Sequence, residues 1–212
     1  MAVKKSAKKA GKPAVKRSET AAKAELPVRA FASASAFERW LRAHHQTCTG
    51  IWLRLMKKAA VEPGVSYAEA LEIALCFGWI DGQTKTYDAN SWLRKFVPRG
   101  ARSIWSKINR SKALALIAEK RMQPAGLAQV ERAKLDGRWQ AAYESPSQAQ
   151  PSPEFAAALS ASPRAAAFFA TLNGANRFAV LFREKAPKKP ETRERKIREL
   201  VSMLEQGRKI HG

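Results

Sequence analysis

The fold is decided by the segment from residue 66 to residue 97, which reads SYAEALEIALCFGWIDGQTKTYDANSWLRKFV. It begins with a capping box, in which the Ser66 hydroxyl and the Glu69 carboxylate each accept a backbone N–H at the start of a helix. Apolar residues then recur at helical spacing as far as Gly78. A glycine at that point is typical of the left-handed residue that ends a helix. The segment therefore predicts a capped helix that leads directly into a strand.

Two strands follow this helix, predicted at 79–86 and 91–97 and joined by a loop that contains Asp88. A third strand is predicted at 51–57, because apolar residues there alternate with other side chains and one face is buried. Another capping box, from Ser35 to Glu38, predicts a helix ahead of that strand. These elements form a small sheet unit of two to four strands.

The remainder of the chain reads as helical. One helix is predicted to begin with Ser103 as its cap and to run to about Arg121, and another begins at Pro124 and stops at Gly137. Short helices follow a Pro/Ser/Gln linker at 145–153. The predicted fold class is α+β, mostly α overall. The predicted domains are a disordered basic tail at 1–30, a small α+β unit at 31–100 and a helical unit at 101–210 packed on it.

The charge is strongly positive, with 39 Lys and Arg against 18 Asp and Glu and a formal net charge of +21. The first 25 residues hold eight Lys or Arg and two Glu, with few large apolar side chains, which predicts disorder. This tail is interpreted either as an arm that binds phosphates non-specifically or as a solubilising extension. The rest of the surplus lies on a folded surface and favours an anionic ligand or a nucleic acid as partner.

Several classes are excluded or not expected. Two cysteines, Cys48 and Cys76, are too few for a disulfide scaffold or a four-cysteine zinc site. We expect neither a metal site nor a cofactor, because His44, Cys48 and Cys76 would need further ligands. No stretch is apolar for the ~20 residues of a transmembrane segment. The early lysines are followed by no apolar core, which argues against a secretory signal and predicts a cytoplasmic protein.

A candidate anion-binding site lies around residues 94–107, where arginines, tryptophans and a predicted helix start come together. A helix N-terminus beside a glycine and arginines is suited to anions, because N–H groups and guanidinium groups point at one place. An aromatic ring there can stack on a base. In the alternative interpretation the tryptophans are core residues and the arginines pair with Asp81 or Asp88. The predicted site residues are Arg94, Arg99, Arg102, Ser103, Trp105 and Lys107.

Asp81 is a second candidate of a different kind, since it directly follows an apolar run. A carboxylate at a strand end can act as a general acid or base. In that reading the protein is an enzyme for a small anionic substrate, with Arg99 and Arg102 as clamps. A turn-forming or arginine-pairing role for Asp81 is the simpler interpretation. Asp88 does not complete a carboxylate pair, because the strand spacing puts the two on opposite faces.

Several runs resemble a known family, the YdeI/OmpD-associated bacterial proteins. The resemblance covers about residues 33–210. It implies a small α+β unit followed by helices, and a role linked to bacteriocin protection or to an outer-membrane porin. It implies no defined reaction and no catalytic residues. The runs that carry it are EIALCFGWIDG (72–82), RKFVPR (94–99), SIWSKIN (103–109), MQPAG (122–126), GRWQAAY (137–143), Asn176-Arg177 and KPETRERKI (189–197).

The sequence thus predicts a non-enzymatic cytoplasmic binding protein with a basic surface for anions or nucleic acid, linked to stress or bacteriocin protection. Two alternatives stay open. One is the enzyme with Asp81 as acid/base. The other is a module that binds a protein partner in the envelope-stress response.

Overall fold

The computed structural model describes residues 25–58 and 62–212, which form a four-stranded mixed sheet with helices and then an all-helical region. The predicted α+β class is therefore confirmed. The strands are β1 (Val28–Arg29), β2 (Ile51–Met56), β3 (Trp79–Thr86) and β4 (Ser91–Pro98). The helices are α1 (Ala34–His44), α2 (Tyr67–Cys76), α3 (Lys107–Ala118), α4 (Pro124–Leu135), α5 (Pro153–Ser160), α6 (Pro163–Ala170), α7 (Gly174–Lys185) and α8 (Pro190–Glu205).

The sheet has the order β1-β2-β4-β3. β4 pairs antiparallel with both β2 and β3, and β1 pairs parallel with β2. Ile51 and Phe96 are direct partners and both are fully buried. The ring of Phe37 on α1 lies 6.0 Å from that of Phe96, so α1 covers this face of the sheet. The alternation predicted for 51–57 is confirmed for the face that also buries Leu53 and Leu55, but the strand is more than half-buried, because Trp52 on the opposite face is only 5% exposed.

The buried side chains form two hydrophobic cores. The first joins the sheet to α1, α2, α3 and α4, and the second lies among α5, α6, α7 and α8. The ring of Tyr143 stands between them, 5.5 Å from Phe182 and 6.1 Å from Phe178 on α7. Part of the predicted tail, residues 28–29, forms β1, whereas residues 1–24 lie outside the described residues. The predicted domain boundaries stay predictions.

The structure shows which residues cap α1, α2 and α3, so the caps predicted from the sequence can be compared with those observed. The capping box of Ser66 and Glu69 is confirmed, and Gly78 has φ +73° as expected. Ser35 was the wrong cap for α1, because the Ser33 hydroxyl accepts the Ala36 N–H and the helix begins two residues sooner than Ser35 allows.

Ser103 was likewise the wrong cap for the next helix. Its hydroxyl accepts the N–H of Gly100 and so closes a turn in the preceding loop. The cap of α3 is Ser106, whose hydroxyl accepts the N–H of Asn109 at 3.1 Å. The helix start therefore lies three residues later than the sequence pattern indicates, and the loop between β4 and α3 is longer.

Gly126 on α4 should tolerate no side chain, because α4 crosses the end of α2 there. A Cβ at Gly126 would lie 2.7 Å from the carbonyl oxygen of Leu75 and would also overlap that of Cys76. Alanine normally stabilises a helix interior by about 1 kcal/mol relative to glycine. Here we expect Gly126→Ala to lower the free energy of unfolding by about 1–3 kcal/mol, since backbone must move.

The matched control is Gly174→Ala at the start of α7, where an added Cβ would meet nothing within 4 Å. Urea unfolding of both variants measures the change in the free energy of unfolding that each substitution causes. Equal effects of the two substitutions would contradict the packing described for α2 and α4.

Candidate functional site

Arg94 and Asp81 form an ion pair on the side of the sheet that faces the first core. Asp81 is the direct strand partner of Phe96, which places its side chain on the same face as Arg94. The Arg94 Nε donates to Asp81 Oδ2 at 2.9 Å, and its Nη2 donates to the same oxygen. The hydroxyl of Tyr67 also donates to Oδ2, at 2.8 Å. One carboxylate oxygen thus accepts three donors.

The Tyr67 hydroxyl stays protonated over a wide pH range. Burial raises the pKa of Tyr67 to about 12, and its hydrogen bond to Asp81 and the negative charge of Asp81 add to the shift. The Asp81 side chain is only 10% exposed. Asp81, the candidate acid/base carboxylate, is therefore held in a nearly buried ion pair with fixed donors around it.

Arg99 differs from Arg94, because it is buried without a carboxylate. Its residue is 5% exposed, and its guanidinium carbon lies 3.6 Å from the ring centroid of Trp105. Its Nη1 donates to the carbonyl of Ile104 at 3.2 Å. Its Nε and Nη2 have no acceptor among the described residues, and neither has the buried Nε1 of Trp105. Three donor nitrogen atoms of this stacked pair therefore have no acceptor among the residues that the structure describes.

The charge of Arg99 persists in this environment. Burial lowers the pKa of Arg99 to about 10, and the charge of Asp81 partly offsets that effect. A pKa of about 10 still leaves the guanidinium protonated at neutral pH. Stacking on an indole recovers part of the lost hydration, at about 2 kcal/mol for a desolvated pair. Burial of a charge without a counterion costs several kcal/mol, so the site is electrostatically unbalanced.

The remaining predicted site residues lie apart from this cluster or serve other contacts. Arg102 is exposed and forms no hydrogen bond with another described residue. Ser103 closes the turn at Gly100. Lys107 is the first residue of α3 and pairs with Glu144. The structure therefore brings Arg99 and Trp105 together, whereas Arg94 is committed to Asp81.

The backbone N–H groups at the start of α3 are also less available to an anion than predicted. The backbone N–H of Lys107 donates to the carbonyl of Tyr143 at 2.8 Å, and the N–H groups of Asn109 and Arg110 donate to Ser106. Most donors of the first helical turn are therefore taken. The dipole of the helix contributes a positive potential, but an anion must obtain its hydrogen bonds from side chains.

Tyr67 and Tyr143 were missed as members of the site. Tyr143 is held to the segment before α3, because its N–H donates to the carbonyl of Trp105 at 3.0 Å. Burial raises the pKa of the Tyr143 hydroxyl, the charge of Asp81 raises it further, and that of Arg99 lowers it. No local sequence pattern connects these tyrosines to the arginines. Alternation along β4 was a usable signal for the pair of Arg94 with Asp81, since it places Arg94 on the face of Phe96.

Over residues 25–58 and 62–212, no group of three or more His, Cys, Asp or Glu side chains is placed to hold a metal ion. None of the helices that the structure describes is long and apolar enough to cross a membrane.

Comparison with known families gives two matches. Residues 149–207 match the family described as bacteriocin-protection, YdeI or OmpD-associated. Residues 29–129 match a domain of unknown function, DUF8412. Similarity to the YdeI/OmpD-associated bacteriocin-protection family is thus found in the C-terminal part of the chain, which holds the second core, whereas the Arg99 cluster lies in the part that matches the domain of unknown function. Searches of curated proteins and of solved structures found no match.

The pair of Arg94 with Asp81 should show strong energetic coupling. Arg94→Met and Asp81→Asn each leave a largely buried polar partner unsatisfied, so each should lower the free energy of unfolding by about 1–3 kcal/mol. The double variant should lose at least about 1 kcal/mol less than the sum of the two. Urea unfolding of the four proteins measures this coupling.

The control cycle uses Arg198 and Glu194, a pair on α8 that is 66% and 71% exposed. Its coupling should be only about 0.3–0.5 kcal/mol. Additive losses at Arg94 and Asp81, or coupling no larger than that of the α8 pair, would contradict the buried ion pair.

Proposed function

We propose that the protein is a non-enzymatic binding protein, and that Arg99 and Trp105 form its site for an anionic group. The observation that carries this proposal is the set of three buried donors without an acceptor: Nε and Nη2 of Arg99 and Nε1 of Trp105. Buried donors in native proteins are almost always satisfied. The unmet donors of this pair therefore support an acceptor from outside the described residues.

The charge of Arg99 identifies the chemistry of that acceptor. A water molecule satisfies hydrogen bonds but does not balance a buried positive charge. Carboxylate, phosphate and sulfate do both, because their oxygens match the planar fork of a guanidinium. Asp81 does not serve this purpose, since its Oδ2 already accepts from Arg94 and Tyr67. The ligand group is thus a small oxyanion.

We place the path by which the anion reaches Arg99 along the loop that follows this residue. Gly100, Ala101 and Arg102 are exposed. Arg102 adds a cation that attracts the ligand without being committed to an ion pair among the described residues. Its contribution is screened by solvent and is smaller than that of Arg99.

Binding fits these contacts better than catalysis. A catalytic Asp81 would first have to leave the three donors from which its Oδ2 accepts. We place the binding protein in the cytoplasm and connect it with stress or bacteriocin protection, in line with the description of the family that residues 149–207 match. A protein partner would bind at the same site through an exposed carboxylate or phosphate group.

The test is a titration of the full chain with inorganic phosphate and sulfate, followed by calorimetry and by the melting temperature. A ligand that binds only the folded state raises that temperature as its concentration increases. Chloride at matched ionic strength should have a smaller effect. Arg99→Met should bind phosphate at least about tenfold more weakly, a loss of about 1.4 kcal/mol. In the absence of anions it should be as stable as the wild type, since a buried charge is removed.

Arg102→Met is the matched control and should weaken binding only slightly. Arg99→Lys keeps the charge but lacks the fork, so it should bind weakly as well. Equal responses to phosphate and chloride, or unchanged phosphate binding by Arg99→Met, would refute the proposed site.

Nucleic acid is a second candidate partner, favoured by the surplus of free cations. Most described carboxylates are in an ion pair or a helix cap, and most described Lys and Arg side chains have no ion-pair partner among these residues. Such a surface attracts the phosphate backbone without reading its sequence.

Duplex DNA should accordingly bind in a strongly salt-dependent way. Fluorescence anisotropy over a salt series should give a linear log–log plot with a slope of about 0.9 per phosphate contact. A chain lacking residues 1–24 should show a smaller slope but should still bind. Failure of the full chain to bind DNA at low salt would remove nucleic acid from the candidates and would leave the Arg99 site untouched.

A further inference from the structure

A cavity of about 570 Å³ lies where the segment after α4 meets α7, outside the cluster of Arg99 and Trp105. This volume falls within the range of pockets that bind small organic molecules, about 300–1,000 Å³. We call it the Tyr143 cavity. It is lined by Ile104, Lys107, Asp136, Gly137, Arg138, Gln140, Ala141, Ala142, Tyr143, Glu144, Ala149, Phe178, Leu181, Phe182, Lys185, Ala186 and Lys188.

Aromatic rings form one wall of the cavity. Tyr143 meets Phe182 edge-on at 5.5 Å, and Phe178 lies 6.0 Å from Phe182. These three rings are only half-buried, although aromatic side chains in such contact usually belong to a closed core. Leu181 and Ala149 add apolar surface. The wall is suited to an aromatic or aliphatic body.

The charged side chains of the rim favour an anion. Asp136 and Glu144 are the acidic residues of the lining, and each is already paired, with Arg138 and with Lys107. Lys185 and Lys188 are both exposed, and neither forms an ion pair with another described residue.

Lys185 and Lys188 differ in their present contacts. The Nζ of Lys185 donates to the carbonyl of Gln150 at 2.6 Å, which leaves two of its hydrogens for other partners. Lys188 forms no hydrogen bond through its side chain with the described residues. The rim thus carries two positive charges that no acidic side chain of the lining balances.

We propose that the Tyr143 cavity binds a small amphipathic anion, with its apolar body against Tyr143, Phe178 and Phe182 and its acidic group at Lys185 and Lys188. The ligand needs both a negative charge and an apolar body to make all of these contacts. A neutral molecule of the same shape gains the apolar contacts only, and an inorganic anion gains the charge contacts only. The cavity adjoins the Arg99 site, because Ile104 and Tyr143 belong to both, but Arg99 itself does not line it, so displacement by inorganic phosphate distinguishes the two proposals.

The experiment uses two fluorescent probes that share one aromatic body. Anilinonaphthalene sulfonate carries a negative charge, and N-phenylnaphthylamine is its uncharged counterpart. The full chain should bind one sulfonate probe with a blue shift and higher emission, and should bind the neutral probe at least about tenfold more weakly. Inorganic phosphate at constant ionic strength should not displace the sulfonate probe.

Two variants test where the probe binds. Ala141→Trp places an indole at an exposed position of the lining, so it should block both probes without disturbing the core. The double variant Lys185→Glu, Lys188→Glu should weaken the sulfonate probe by about tenfold or more and leave the neutral probe unchanged. Thermal unfolding of each variant confirms that it is folded.

The matched control is Arg39→Glu with Lys209→Glu, which makes the same change in net charge at exposed positions outside the cavity lining. It should bind both probes as the wild type does. Equal loss in the control and rim variants would show a general charge effect and would overturn the proposal. Unsaturable binding of many probes, probe binding that survives Ala141→Trp, or equal affinity for the two probes would overturn it as well.

Discussion

A charged guanidinium buried against the ring of Trp105, with no carboxylate of its own, is the interaction on which this part of the structure depends. Arg99 also joins several elements through its backbone. Its N–H donates to the carbonyl of Gly78 at 2.9 Å, which ties the end of β4 to the end of α2. Its carbonyl accepts from Arg132 on α4 at 3.4 Å. These contacts fix the backbone of Arg99 beside the core, where its side chain stacks on Trp105 and donates to the carbonyl of Ile104.

The sheet could be predicted closely from the sequence, because alternation and turn residues are local signals. The strands predicted at 79–86 and 91–97 match β3 and β4 to within one residue. β1 could not be predicted, since two residues carry no period and become a strand only by pairing with β2. The errors at Ser35 and Ser103 have one cause. Several serines stood near each helix start, and contacts elsewhere decided which of them became the cap.

The site was predictable only in part. Arg99 and Trp105 lie six positions apart in one loop segment, so their proximity follows from short-range geometry. Arg94 was placed with them, but its position on the inner face of β4 commits it to Asp81. Tyr143 lies far along the chain and joins the site through its backbone hydrogen bonds to Trp105 and Lys107. Such long-range pairing leaves no pattern in the local sequence, and the Tyr143 cavity, which depends on it, could not be foreseen.

A crystal grown with selenate tests most directly whether an anion binds at Arg99. Anomalous scattering from selenium locates the ion without reference to the protein density. We predict a selenium peak beside Arg99, with selenate oxygens at hydrogen-bonding distance, about 2.7–3.2 Å, from both the Arg99 guanidinium and the Trp105 Nε1. Ordered water alone at those three donors, with selenate bound elsewhere or nowhere, would contradict it.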